Sequence, residues 1–94
     1  MRVVGLSVIA ELMKTHAASR KSCRAWLAEV RAAHWTTPAE LKDSFPRASI
    51  LSDNRVVFDI GGNKYRVVCG IAYKLGIVDV LRAGTHAEYD KWVL

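Results

Sequence analysis

Within the stretch Gly84-Thr85-His86-Ala87-Glu88-Tyr89-Asp90-Lys91-Trp92 the chain gathers an imidazole, a phenol, two carboxylates and an ammonium. Thr85 followed three residues later by Glu88 is a capping box: the hydroxyl satisfies one free amide at a helix start while the carboxylate reaches back to another. A helix beginning there carries His86, Tyr89 and Asp90 at i, i+3 and i+4, on one face of its first turns, with Lys91 nearby. Such a surface suits proton transfer at a phosphate. A plainer reading stands beside it, because a His and a Tyr flanking a helix start serve equally well as cap and packing groups.

Those side chains need a scaffold, and the preceding residues describe one. Arg55 to Ile60 alternates Val56, Phe58 and Ile60 against Arg55, Val57 and Asp59, the period of a strand. Gly61-Gly62-Asn63 supplies a tight reversal. Tyr65 to Tyr73 is the return strand, with Lys64 and Arg66 on one face and Gly70 marking a bulge or a close approach. Lys74-Leu75-Gly76 turns the chain again, and Ile77 to Ala83 forms a last strand that runs into the Thr85 cap.

The N-terminal half reads as mostly helical. Met1 to Val4 is a short strand, and Ser7 offers a hydroxyl cap to a helix from Val8 to Thr15 with Ile9, Leu12 and Met13 on one side. From Ser19 to His34, Cys23, Trp26, Leu27, Val30 and Ala33 make an apolar stripe, flanked by Arg20, Arg24 and Arg31. Those arginines are either a solvated face shielding the core edge or a contact for RNA phosphates. Thr37 with Glu40 forms a second capping box, Pro38 takes the first helical position, and Pro46 ends a short helix near Asp43. Trp35 reads as a packing lid, while Phe45-Pro46 and Ile50-Leu51 anchor the next connection on the core.

Ninety-four residues suit a single domain spanning 1–94, and a hydrophobic fraction of 51% supports a packed core. Fourteen Lys and Arg against nine Asp and Glu leave a net charge of +5, which favours a polyanionic partner such as RNA. Cys23 and Cys69 fall in apolar patterns and read as reduced core thiols; no spacing joins them to His16, His34 or His86 as a metal site. The apolar run from Val3 to Ala10 is too short to span a membrane, so a soluble, cytoplasmic protein without cofactor or metal is expected. Helices early and strands late imply an α+β sandwich of two layers, with the N-terminal strand and helices on one face of a mainly antiparallel sheet and a basic cleft on the other.

Two separated segments, Asn54 to Val68 (NRVVFDIGGNKYRVV) and Gly84 to Lys91 (GTHAEYDK), resemble the HigB-type toxins of bacterial type II toxin–antitoxin modules, within the RelE-like superfamily. The likeness covers residues 36 to 92 closely. It implies the RelE-like fold and a ribosome-dependent endoribonuclease that cuts mRNA by 2′-hydroxyl attack. It also implies a HigA-like helix-turn-helix antitoxin as partner, with operator DNA reached only through the joint complex.

Carried onto the residues that match the family motifs, the resemblance implies that Arg66 stabilises the phosphate and that His86 is general base or acid. By the same likeness Tyr89 is expected to orient or stack on the nucleotide, and Asp90 to fix the histidine or assist as base. Lys64, Lys91, Arg55, Arg82, Arg20, Arg24 and Arg31 are the RNA-binding candidates. One departure stands out: Val78-Asp79-Val80-Leu81-Arg82 moves the family's last-strand arginine one place along. Strict alternation turns Arg82 to the opposite face, which a bulge or a one-residue slip reverses. The contrasting expectation, from a different class, is a non-catalytic basic module that holds RNA or the ribosome.

Overall fold

In the computed structural model, which describes residues 1–94, the chain runs β1 (Arg2–Val4), α1 (Leu6–Thr15), a 3-10 turn (Ala17–Ser19), α2 (Arg20–Ala32), α3 (Pro38–Ser44), β2 (Ser49–Ile50), β3 (Arg55–Ile60), β4 (Tyr65–Ala72), β5 (Ile77–Thr85) and α4 (His86–Tyr89). The strands form one sheet in the order β1-β5-β4-β3-β2. β1 lies parallel to β5 and every other pairing is antiparallel. This is the expected α+β architecture, consistent with a RelE-like fold, with one correction: β1 is an edge strand of the sheet, hydrogen-bonded to β5, and does not lie on its face with the helices. No helix is long and apolar enough to cross a membrane.

The period-two pattern of β3 and β4 decides which side of the sheet meets the helices. Val56, Phe58, Ile60, Tyr65, Val67, Cys69 and Ile71 join the main core, with Val78 and Val80 from β5. The stripe of α2 packs on them through Cys23, Trp26 and Val30. Trp26 meets the Phe58 ring edge-on at 5.3 Å, and Phe45 does so at 5.0 Å. Burying such a ring stabilises the fold by about 2 kcal/mol. Trp35 is the expected lid: it is buried, stacks on Phe58 and donates from Nε1 to the Ser44 hydroxyl at 3.0 Å. Both cysteine thiols are free and buried, and burial pushes their pKa values up.

Several local expectations need correction. α1 begins at Leu6 and not at Val8; its N-cap is Gly5 in the left-handed region (φ 78°), and no side chain caps it. A Cβ on Gly5 would stand 2.4 Å from the Val80 carbonyl oxygen, so close packing on β5, and not a Ser7 hydroxyl, sets this start. At α3 the Thr37 hydroxyl accepts the Glu40 amide, but the Glu40 carboxylate takes the amide and hydroxyl of Thr36 instead of completing the box at Thr37. Phe45 packs on the core as expected. Ile50 does not: it lies exposed in an edge strand.

Candidate active site

The second face of the sheet carries the expected site residues, but it is covered more than the sequence implies. Pairing sets Arg55, Val57 and Asp59 of β3 opposite Gly70, Val68 and Arg66 of β4. Val57 and Val68 are 1% and 2% exposed although neither belongs to the helix-side core. The C-terminal segment lies over this face: Arg55 Nη2 donates to the Leu94 carbonyl oxygen at 3.0 Å, and Tyr89 and Trp92 reach the two arginines further along. The cleft expected to be open is therefore roofed.

Arg66 is buried at 7% exposure. Its Nε lies 3.1 Å from Asp59 Oδ1, Nη2 donates to Asn63 Oδ1 at 2.6 Å, and Nη1 donates to the carbonyls of Asn63 and Tyr65. Asp59 is also 3.5 Å from Arg47. A buried guanidinium requires such partners, since an unpaired charge there is strongly disfavoured. Its face is then set against the Tyr89 ring, 5.5 Å from the centroid.

Tyr89 is held there by the capping box. The Thr85 hydroxyl accepts the Glu88 amide at 3.2 Å, and Glu88 Oε1 accepts the Thr85 amide at 2.9 Å. These bonds, backbone first, with smaller help from His16 and Lys91, hold the Glu88 carboxyl below its ordinary pKa. The His86 amide donates to the Lys64 carbonyl at 2.9 Å, tying the start of α4 to the β3–β4 turn. In that turn Gly61 and Gly62 have φ of 64° and 68°, which side-chain-bearing residues rarely adopt. His86 Nδ1 lies 3.1 Å from Asp90 Oδ2, so the carboxylate engages this ring nitrogen and not Nε2.

The displaced arginine is restored by a bulge. Val68 pairs with Arg82 and Cys69 with Val80, so Leu81 is the extra residue and Arg82 shares the face of Val68. The mid-strand Gly70 lies one pair away, with the Leu81 side chain over it at 3.8 Å from where a Cβ would stand. Arg82 is exposed, and its guanidinium lies 5.0 Å from the Trp92 ring centre. Trp92 in turn meets Tyr89 edge-on at 5.9 Å. Arg66, Tyr89, Trp92 and Arg82 thus form a continuous row, two rings in contact with a cation at each end.

Lys64 and Lys91 are exposed at the same end of the molecule. Arg55 is fastened to Leu94 at the other end of β3. Arg20, Arg24 and Arg31 are exposed on α2, which packs on the opposite face of the sheet, and Arg20 Nε donates to the Met13 carbonyl. They are not brought together with Arg66 and Tyr89.

The sequence placed Asp59 in a strand and Asn63 in the turn but implied no part in the site for either of them or for Trp92. A signal existed for two of them: counting back across the turn pairs Asp59 with Arg66, and Trp92 stands at i+3 from Tyr89. Comparison with curated proteins finds no match. A family model described as HigB_toxin, RelE-like toxic component of a toxin-antitoxin system, matches residues 19–92, so this chain, carrying the row from Arg66 to Arg82, belongs to the HigB toxin family.

Proposed function

We propose that this toxin is a ribosome-dependent endoribonuclease that cleaves mRNA through attack of a ribose 2′-hydroxyl on the adjacent phosphorus. The contact between Arg66 of the hairpin and Tyr89 of the closing helix, with His86 on the same short helix, is the observation that carries it. His86 Nε2 takes the 2′-hydroxyl proton or supplies a proton to the departing 5′-oxygen, and Asp90 holds the imidazole through Nδ1. As the 2′-oxygen–phosphorus bond forms and the bond to the 5′-oxygen breaks, the products are a 2′,3′-cyclic phosphate and a 5′-hydroxyl.

Arg66, paired with Asp59, fixes Tyr89 in place, while exposed Arg82, Lys64 and Lys91 meet phosphate oxygens directly. Tyr89 and Trp92 offer ring edges to the nucleotide. A toxin of such a system implies an antitoxin partner. On this reading it is a HigA-like helix-turn-helix protein, operator DNA is reached through the joint complex, and the toxin acts in the cytoplasm.

The neutralisation of Arg66 by Asp59 favours a second reading, a non-catalytic module that holds RNA or the ribosome. Purified ribosomes translating a defined mRNA separate the two. Cleavage with a cyclic phosphate end, slowed by about 10²- to 10⁴-fold in His86→Ala, is the expected result. Translation arrest with intact mRNA would establish the binder.

A further inference from the structure

We propose that a second groove, at the far end of β5 from His86, binds the phosphate backbone of single-stranded RNA. It has a volume of about 560 Å³ and is lined by Arg2, Arg31, His34 and Lys74, with Tyr73 and Thr36 among its other residues. Four elements build it. The last turn of α2 brings Arg31, and the chain leaving it brings His34. β1 brings Arg2, whose amide donates to the Gly76 carbonyl at 2.7 Å, and the β4–β5 turn brings Tyr73 and Lys74. From Ile77, beside this turn, to Thr85, where α4 begins, is roughly 25 Å at about 3.3 Å per residue.

The cations of this groove are in no ion pair, although the Glu40 carboxylate accepts the amide and hydroxyl of Thr36 in its lining. None of its lining residues is Asp or Glu, and Arg2, Arg31, His34 and Lys74 take part in none of the protein's salt bridges. All four are exposed. By contrast, the cleft between α1 and α4 contains Glu11 and Glu88, and Arg66 is matched by Asp59. The net +5 of the chain is thus unevenly spread, and this trough holds a share of it that no ion pair takes up.

A polyanion is the ligand such a groove attracts. RNA is favoured over an acidic protein segment because the half-buried Tyr73 ring lies among the cations, and every base has a flat face to set against an aromatic ring. Arg31, read from sequence as part of a stripe with Arg20 and Arg24, belongs instead to this four-element cluster. The inference extends the cleavage reading and does not require it, since a strand can be anchored here whether or not it is cut at the other end.

The test uses the full chain carrying His86→Ala and a fluorescein-labelled 12-nucleotide single-stranded RNA, followed by anisotropy across a salt series. Substituting R2A, R31A and K74A together is expected to weaken binding at least about tenfold at low salt. It should also flatten the plot of log affinity against log salt by about 2, from three lost phosphate contacts at about 0.7 each. The charge-preserving R2K with R31K should bind within about threefold of the parent, which separates lost charge from misfolding. Unchanged affinity and slope in the triple variant overturn the proposal. So does a triple variant that loses binding to poly-glutamate while keeping its RNA affinity. The ribosome assay is independent: mRNA cleavage with an unchanged slope refutes this groove alone, and a flattened slope without cleavage refutes the nuclease alone.

Discussion

The Arg82 guanidinium lies 5.0 Å from the centre of the Trp92 ring, on the same face of the sheet as Arg66. Two separate features create that relationship. The bulge at Leu81 turns Arg82 over, and the chain after α4 folds back to place an indole beneath it. Trp92→Ala removes the ring on which both Arg82 and Tyr89 rest. Contacts of this kind are worth about 0.5–2 kcal/mol each, so mRNA cleavage is expected to fall by about three- to tenfold with the fold retained. Trp92→Phe should recover most of the rate. Equal cleavage by wild type and Trp92→Ala would remove Trp92 from the site.

Gly84 makes room for that indole. A Cβ at Gly84 would stand 2.9 Å from Trp92 Cζ2 and 3.2 Å from Glu88 Oε1. Gly84→Ala should therefore displace the ring and lower cleavage about as much as Trp92→Ala. The double variant should be no worse than either single one, because both break the same contact. Fully additive losses in the cleavage assay would show that Gly84 acts elsewhere.

Asp59 opposes a guanidinium that is almost wholly buried, whereas its other partner, Arg47, is largely exposed. Asp59→Asn leaves Arg66 without its counter-charge and is expected to cost about 3 kcal/mol in urea unfolding. Arg47→Ala should cost less than about 1 kcal/mol. Similar values for the two substitutions would mean that the Arg66 environment does not depend on Asp59.

The capping box carries a pH dependence of definite sign. Hydrogen bonds from Thr85 hold the Glu88 carboxyl below its ordinary value, so the folded pKa lies under the unfolded one, about 4.3. The contribution of the box is then complete above the unfolded pKa and is lost as pH falls through the lowered folded value. The protection of the Thr85 and Glu88 amides, taken relative to their intrinsic exchange rates, should fall over that acidic window, and Glu88→Gln should abolish the acid step. At neutral pH, Thr85→Ala should cost about 1 kcal/mol and loosen Tyr89 from Arg66.

His86 and Asp90 form the pair through which proton transfer is proposed. Asp90→Asn keeps the shape of the contact but removes the charge that holds Nδ1–H. Its cleavage rate should fall, but less than that of His86→Ala, because the imidazole stays in place and loses only the carboxylate that orients it. A cleavage rate equal to wild type would show that Asp90 does not act on the imidazole during cleavage.

Local chemistry in the sequence determined much of this molecule. The alternation along β3 and β4, the paired glycines between them, the α2 stripe and the Thr85–Glu88 box all follow from residues close in the chain, since helix and strand periods and caps are short-range properties. Position along the chain did not determine which way Arg82 faces, because one unpaired residue inverts a strand and its place depends on how β5 meets β4. Nor did it determine that Arg66 is buried against Asp59, that Trp92 covers the second face, or that Arg31 joins Arg2 and Lys74 away from the other helix arginines. Those are contacts between distant segments, fixed only when the sheet, the helices and the closing tail compete for the same space.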